Sequence, residues 1–312
     1  MDQAAGKNGS MGFFRSTYRG HETGHAQSLY KTTVKMKIAR FDSSKIGLLI
    51  DETLYDITSL VPSHDTIEVL AALQAKAPAQ LEAIKAKART YKLSDVQLNS
   101  PITSPSKVVA APINYKVHVE EMQSNGQAFG HIITDIRKAG LFLKAPSSVV
   151  GASDGIQQRF LDRRTDHEIE LCAVIGKVAS GVSKENALDY VAGYCLGLDI
   201  TVRGSEDRSF RKSIDTYTVL GPWLVSADEA IDPTNVDLKL QVNGTMQQDA
   251  NTSDMVMSVA ELIEYASSFY TLFPGDVLMT GTPQGVGPIR PGDVLIASAE
   301  GLGAMTVQVR EA

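Results

Sequence analysis

Twice near its C-terminal end the chain places Pro-Gly-Asp ahead of a short apolar run: residues 274–276 before "VLMTGT" and 291–293 before "VLIAS". Proline pre-sets φ and glycine accepts positive φ, so each tripeptide is a turn that launches a strand. From about residue 105 onward the same pattern dominates, with many short strand-like runs and few helical ones. No internal repeat is long enough for a solenoid. The pattern predicts an α+β, β-rich fold: a mixed β-roll or distorted barrel, preceded by a small N-terminal β-containing domain.

Three segments are expected along the chain. Residues 1–35 are rich in Gly, Ser, Thr and Gln without lasting periodicity, and are expected to be a disordered extension. They hold no signal-peptide apolar core. The stretch from Met11, "MGFFRSTYRGHETGHAQSLYK", is basic and poor in acids, as a mitochondrial leader is, and a misassigned start or a cloning remnant would account for it equally. The expected location is cytoplasmic, with mitochondrial as the alternative. From Met36, "MKIARFDSSKIGLLIDETLYDITSLV" alternates in short runs and reads as strands, and "DTIEVLAAL" and "PAQLEAIKAKARTY" read as helices. "LNSPITSPSKVVAAPIN" marks a boundary near residues 98–106, dividing a small domain (36–104) from a catalytic one (105–312). Further on, "SKENALDYVAGY" (183–194) reads as a helix after Ser183. "SVAELIEYASSFYTL" reads as another, with Ser258 and Glu261 as a capping box ahead of Leu262, Ile263, Ala266 and Phe269.

Composition removes several classes of function. A net charge of −6 with 6% aromatic residues lacks the basic clusters and stacking rings of a nucleic-acid surface. No apolar run approaches the roughly 18 residues needed to span a bilayer. Cys172 and Cys195, the only cysteines, both lie in apolar runs and read as reduced core residues. From residue 36 onward the four histidines show no paired zinc spacing, so a metal there would be a hard cation held by oxygen.

The stretch "TDHEIELCAVIGK" (165–177) sets Glu168 and Glu170 inside a run that is otherwise a buried strand. Positions two apart on a strand share a face, so both carboxylates project together and repel unless a cation lies between them. With 36 acidic residues in 312, about four acid-x-acid triplets arise by chance, and a solvated strand face is the alternative. Asp199, ending the apolar run "YCLGLDIT" one predicted helix later, returns beside them if the two strands neighbour each other. Three carboxylates suit octahedral Mg²⁺ or Mn²⁺. In "APINYKVHVEEMQSNG", His118 and Glu121 are at helical spacing, so the carboxylate can orient the imidazole to take a proton from water. An exposed histidine beside an acidic run is the alternative. The glycine-containing stretch after it, 124–130, would let the segment move as a lid. Lys212, in "RKSIDTYTVLGPWLV", is the cation candidate for a developing oxyanion, against a solvated basic loop shared with Arg208 and Arg211. "TGTPQGVG" lacks GK[ST] and reads as a tight turn segment rather than a nucleotide loop.

From Met36 onward the chain resembles the fumarylacetoacetate hydrolase family. The matching stretches, in the family's order, are "NYKVHVEEM", "LFLKAP", "DHEIELCAVIGK", "DYVAGYCLGLDIT", "RKSIDTYTVLGPWLV", "VNGTMQQ", "PGDVLMTGTPQGVGP" and "GLG" near the end. The resemblance implies a mixed β-roll catalytic domain, often with a small N-terminal β-domain, in a homodimer. It implies Glu168, Glu170 and Asp199 as Mg²⁺ or Mn²⁺ ligands, His118 and Glu121 as a water-activating dyad on a lid, and Lys212 as a substrate and oxyanion contact. Tyr115, Arg203 and Thr282 complete its substrate contacts. Many relatives follow the metal aspartate with Ala-Arg-Asp and a glutamine two residues later, where this chain has Val202, Arg203, Gly204, Ser205 and Glu206. The activity implied is hydrolysis of a carbon–carbon bond in a 2,4-dioxo acid of acylpyruvate type, to pyruvate and a carboxylic acid. Oxaloacetate decarboxylation and keto–enol isomerisation use the same metal chemistry and stand as alternatives, as does a metabolite-binding protein that keeps the fold. The expected partner is a small dioxo acid, with neither nucleic acid nor membrane.

Overall fold

The computed structural model describes residues 36–117, 135–227 and 231–312. The N-terminal alternation becomes a meander of β1 (Lys37–Phe41), β2 (Lys45–Ile50) and β3 (Thr53–Asp56). Helix α1 (Thr66–Gln74) begins where the Asp65 carboxylate accepts from the backbone N–H groups of Ile67 and Glu68. Helix α2 (Pro78–Lys87) starts with proline in its first turn. The expected continuation of α2 to Tyr91 is not made, because Arg89–Lys92 is instead strand β4, antiparallel to β3. Thr90 and Tyr91 favour extended backbone, and the Tyr91 ring packs edge-on against Phe41 at 5.4 Å, a contact the helix would forgo.

Short strands follow: β5 (Leu98–Asn99), β6 (Val108–Ala110), then helix α3 (Ile136–Ala139) and β7 (Phe142–Lys144). After β8 (Val149–Val150) and β9 (Ile156–Gln158) come β10 (Thr165–His167) and β11 (Ile169–Ile175). The helix expected over 183–194 is only a 3₁₀ segment, Lys184–Tyr190, which gives way to strand β12 (Val191–Asp199). Ser183 makes no side-chain cap bond, and pairing with β11 satisfies the backbone from Val191 onward. Next are β13 (Thr201–Val202), helix α4 (Arg208–Lys212) and β14 (Thr218–Ser226). The hairpin β15 (Asp237–Val242) and β16 (Thr245–Asn251) leads to helix α5 (Val259–Phe269). Strands β17 (Val277–Met279), β18 (Gly287–Pro288), β19 (Val294–Ala299) and β20 (Gly303–Glu311) complete the chain. Both Pro-Gly-Asp turns carry glycine at positive φ, 87° at Gly275 and 97° at Gly292, ahead of β17 and β19.

The largest sheet runs β4-β3-β2-β1-β14-β12-β11-β17-β6-β7, with β5 on β1 and β8 on β14. A second sheet is β13-β10-β18 and a third β16-β15-β19-β20-β9. Pairing is mostly antiparallel, with parallel joints at β14/β8, β17/β6 and β20/β9. The β1–β14 ladder carries the strands of 36–104 onto the same sheet as those of 105–312. The architecture is α+β and β-rich, as the turn pattern predicts.

Strand β11 lies at the centre and is buried along its whole length. Ile169, Leu171, Ala173 and Ile175 face the core shared with α5 and the third sheet. Cys172 and Val174 face the other core, with α1 and the N-terminal strands. Burial on both faces is why this run reads as nearly continuous apolar sequence rather than alternation. Cys172 and Cys195 are buried, unpaired and directly opposite each other on β11 and β12. Burial, then its neighbour Cys195, pushes the Cys172 thiol up, away from reactivity.

Candidate active site

Glu168 stands between β10 and β11, and Asp199 ends β12. The Asp199 N–H donates to the Glu168 carbonyl at 2.9 Å, so the antiparallel ladder sets the two residues side by side. Glu170 is two positions further along the same face of β11. Carboxylate oxygens of Glu168, Glu170 and Asp199 all lie within 4.8 Å of one another, and all three residues are buried. Three ionised carboxylates this close and this dry require cations.

Two lysines supply part of that charge. The Lys212 ammonium, at the end of α4, donates to Glu168 Oε2 and Asp199 Oδ2, each at 2.6 Å, and to Thr201 Oγ1 at 2.7 Å. Lys144, at the end of β7, donates to Asp199 Oδ1, to the Lys212 carbonyl at 2.6 Å and to the Tyr217 carbonyl at 3.0 Å. Each oxygen of Asp199 therefore faces one ammonium. Burial alone would lower Lys212, but Asp199 and Glu168 outweigh it and hold its pKa above the ordinary lysine value. For the fully buried Lys144, burial outweighs Asp199 and the pKa is lowered. Arg203 donates from Nε to Asp166 Oδ2 at 2.7 Å and from a terminal nitrogen to Glu168 Oε1 at 3.0 Å. The other Asp166 oxygen accepts from Arg164 Nε at 2.7 Å.

Glu170 is held differently. Its Oε2 accepts from the Gly281 N–H at 2.7 Å, whereas Oε1 is buried without a hydrogen-bond partner among the described residues. Burial, followed by the charge of Asp199, raises its pKa well above the ordinary carboxylate range. An orphaned buried oxygen beside two further carboxylates, with an all-oxygen donor set, fits a hard divalent cation. Gly281 reaches Glu170 because its φ is +94°, and a Cβ there would come within 2.8 Å of the Asn114 side chain.

Tyr115 is fully buried, bridges to Met255, and has a hydroxyl without a partner among the described residues. Burial and the charge of Glu170 push the phenol up. Asn114 fixes this segment, donating to the carbonyls of Met257 and Thr280 and accepting from the Met257 N–H, each at 2.8 Å. Thr282 is buried just beyond Gly281, and its Oγ1 accepts from Gln248 Nε2 at 2.8 Å, which leaves the hydroxyl proton to donate elsewhere. His118 and Glu121 lie outside the described residues.

The fold thus joins Glu168, Glu170, Asp199, Lys212 and Arg203 into one cluster and holds Tyr115 and Thr282 in segments tied to it. Sequence reasoning missed Lys144, Asp166 and Gln248. Lys144 left a signal: on β7 it shares a face with Phe142, so the strand turns a lysine inward with an aromatic ring. Gln248 left only its place at the end of the matching stretch "VNGTMQQ", since its role rests on contacts to Ile169 N and Thr282 from a different sheet.

The family model for the fumarylacetoacetate (FAA) hydrolase C-terminal domain matches residues 107–310. A maleylpyruvate hydrolase of Aquipseudomonas alcaligenes is 47% identical over 289 residues, covering 88% of this chain and 99% of the relative. A mitochondrial oxaloacetate tautomerase of Xenopus laevis is 32% identical over 298 residues, covering 88% of this chain and 90% of the relative. Among solved structures, the maleylpyruvate hydrolase of Sphingobium sp. SYK-6 in complex with manganese(II) and pyruvate superposes with a TM-score of 0.76 at 35% identity. That match covers 89% of this chain and all of the other.

Proposed function

The chain belongs to the fumarylacetoacetate hydrolase family, and we propose that it is a divalent-metal-dependent hydrolase that cleaves a carbon–carbon bond in a 2,4-dioxo acid of acylpyruvate type. The products are pyruvate and a carboxylic acid. The observation that carries this reading is the buried convergence of Glu168, Glu170 and Asp199, with Glu170 Oε1 unpartnered among the described residues. These three carboxylates would hold Mg²⁺ or Mn²⁺. When bound, the ion supplies Lewis-acid polarisation of the substrate's carboxylate and 2-oxo oxygens and neutralises the carboxylate cluster.

The chain's own residues supply the rest. His118, oriented by Glu121, takes a proton from water, and the water oxygen attacks the 4-oxo carbon. Lys212 donates to the oxyanion that develops there, exchanging one of its three present acceptors for the substrate oxygen. Lys144 holds Asp199 in place while Lys212 makes that exchange. The bond from C4 to C3 then breaks, its electron pair passes to C3 as pyruvate enolate, and a proton completes pyruvate. Thr282 and Tyr115 present hydroxyl groups to the substrate, and Arg203 holds Glu168 in place. Catalysis is assigned to residues 105–312, with 36–104 as a supporting small domain, in a cytoplasmic homodimer.

The test is to incubate the protein with Mg²⁺ or Mn²⁺, a set of acylpyruvates and oxaloacetate, with and without a chelator, and to identify products. Pyruvate and the matching acid in equal amounts, abolished by chelation, are expected. A His118→Ala variant is expected to lose about 10²-fold or more in turnover, and unchanged turnover would remove His118 from this role. The tautomerase relative favours a second reading, keto–enol isomerisation of oxaloacetate. Enol decay without acylpyruvate cleavage in the same assay would establish it.

A further inference from the structure

We propose that Gln248 is a positioning residue that acts through Thr282: it directs the threonine hydroxyl to donate its proton to an acceptor oxygen of the substrate. The inference rests on the hydrolase reading above, in which Thr282 touches the substrate, and extends it to a residue of the third sheet. Gln248 lies on β16 between Gln247 and Asp249. Those two are exposed and Gln248 is buried, so the strand turns only the middle residue of the three inward.

The Gln248 amide is fully engaged. Oε1 accepts from the Ile169 N–H at 3.0 Å and faces His167 Nδ1 at 3.2 Å. Nε2 donates to Thr282 Oγ1 at 2.8 Å and to the Pro283 carbonyl at 2.9 Å. A backbone N–H can only donate and a carbonyl can only accept, so Ile169 and Pro283 together fix which end of the amide is oxygen. The same oxygen places the His167 ring proton on Nδ1. One lone pair of Thr282 Oγ1 takes the Gln248 proton, and the hydroxyl has no acceptor at position 248. No described residue accepts the Thr282 proton, which is left for a ligand.

The loop is also held on both sides of Thr282. Before it, the Gly281 N–H donates to Glu170 Oε2 at 2.7 Å. After it, Gly285, at φ +88°, lies so near β16 that a Cβ would collide with the Gln247 carbonyl. His167 and Ile169, at the other end of the amide, flank Glu168 in the chain. Gln248 thus ties the backbone around one carboxylate of the cluster to the loop that holds another, with Thr282 between them. A donor whose direction is set before the substrate arrives meets a carboxylate or 2-oxo oxygen without reorganising.

The experiment is calorimetric titration of pyruvate into the full chain at saturating Mn²⁺, for the native protein, Gln248→Glu, Thr282→Val and the double variant. Glutamate keeps the acceptor for the Ile169 N–H but turns an oxygen toward Thr282. Charged or protonated, it offers at most one proton there, which the Pro283 carbonyl takes, so the threonine hydroxyl swings round and donates to it. Gln248→Glu and Thr282→Val are each expected to weaken pyruvate binding by roughly 10- to 100-fold. The double variant is expected to bind no more weakly than Thr282→Val alone. Losses that multiply in the double variant make Gln248 a structural residue and overturn the inference. Native-like binding by either single variant overturns it too, as does a native chain that binds no pyruvate. If Gln248→Glu does not fold, Gln248→Met, which frees the hydroxyl without burying a charge, takes its place in the cycle with the same lack of additivity expected. Acylpyruvate turnover is followed alongside. A chain that binds pyruvate in this pattern but cleaves no acylpyruvate loses the hydrolase reading and keeps the inference.

Discussion

Lys144 and Glu170 show how the same burial has opposite consequences for two charged groups. The Lys144 ammonium has three acceptors for its three protons, one of them charged. Lys144→Met leaves Asp199 short of a cation and two buried carbonyls short of a donor, and is expected to cost about 3–5 kcal/mol of stability. Chemical denaturation reads this directly. Glu170 lacks a partner for one oxygen among the described residues, and its charge is opposed by burial and by Asp199. Glu170→Gln retains an acceptor for the Gly281 N–H and removes that charge. The metal-free variant is therefore expected to be within about 1 kcal/mol of the native protein or more stable, while losing metal affinity measured by calorimetry. A large loss of stability in metal-free Glu170→Gln would mean that the carboxylate is structural. Of these two residues, Glu170 was legible from its spacing to Glu168 on a strand. For Lys144 only its shared strand face with Phe142 was legible and its role was not, because its three partners come from 55 to 73 positions away in the chain.

Among the elements, α5 followed its local signals most closely. Ser258 Oγ accepts from the Glu261 N–H, and the Glu261 carboxylate accepts from the Ser258 N–H, as the capping box predicts. Leu262, Ile263 and Ala266 are buried as expected, while Phe269 is 70% exposed. It lies on the last turn, and its ring packs edge-on against Tyr265 at 5.2 Å instead of entering the core. Ser258→Ala is expected to cost about 1 kcal/mol. The Ser258 backbone N–H holds the Glu261 pKa below its ordinary value, so the cap contributes above the unfolded carboxylate pKa and fades as pH falls through the lower folded one. Denaturation midpoints of native and Glu261→Ala protein are expected to converge as the solution is acidified, and a constant gap would exclude the Glu261 half of the cap. The 183–194 segment went the other way. Its sequence permits a helix, but the edge of β11 offers a full ladder to residues from Val191 onward, and the long-range pairing prevails.

For the molecule as a whole, a metal that binds only the native carboxylate cluster stabilises the fold by mass action. At about 100 times its Kd an ion adds roughly 2.7 kcal/mol, or about 4 °C in Tm for a chain of this size. Thermal unfolding with Mg²⁺ or Mn²⁺ is expected to show that rise, to lose it with chelator, and to lose it in Glu170→Gln. An unchanged Tm in the native protein would remove the cluster as a metal site. The short runs between tight turns, the paired glutamates in a buried strand and the eight ordered stretches were enough, without coordinates, to establish the β-rich class, the family resemblance and the candidate ligands. Those features are local: they depend on backbone preference, on period-two alternation and on residue order, all of which the chain states within a few positions. Only the tertiary structure set the N-terminal strands on the central sheet through β1 and β14 and put an ammonium on each oxygen of Asp199. Those depend on which charges meet once water is excluded, and a chain does not specify such meetings until its strands have chosen their neighbours.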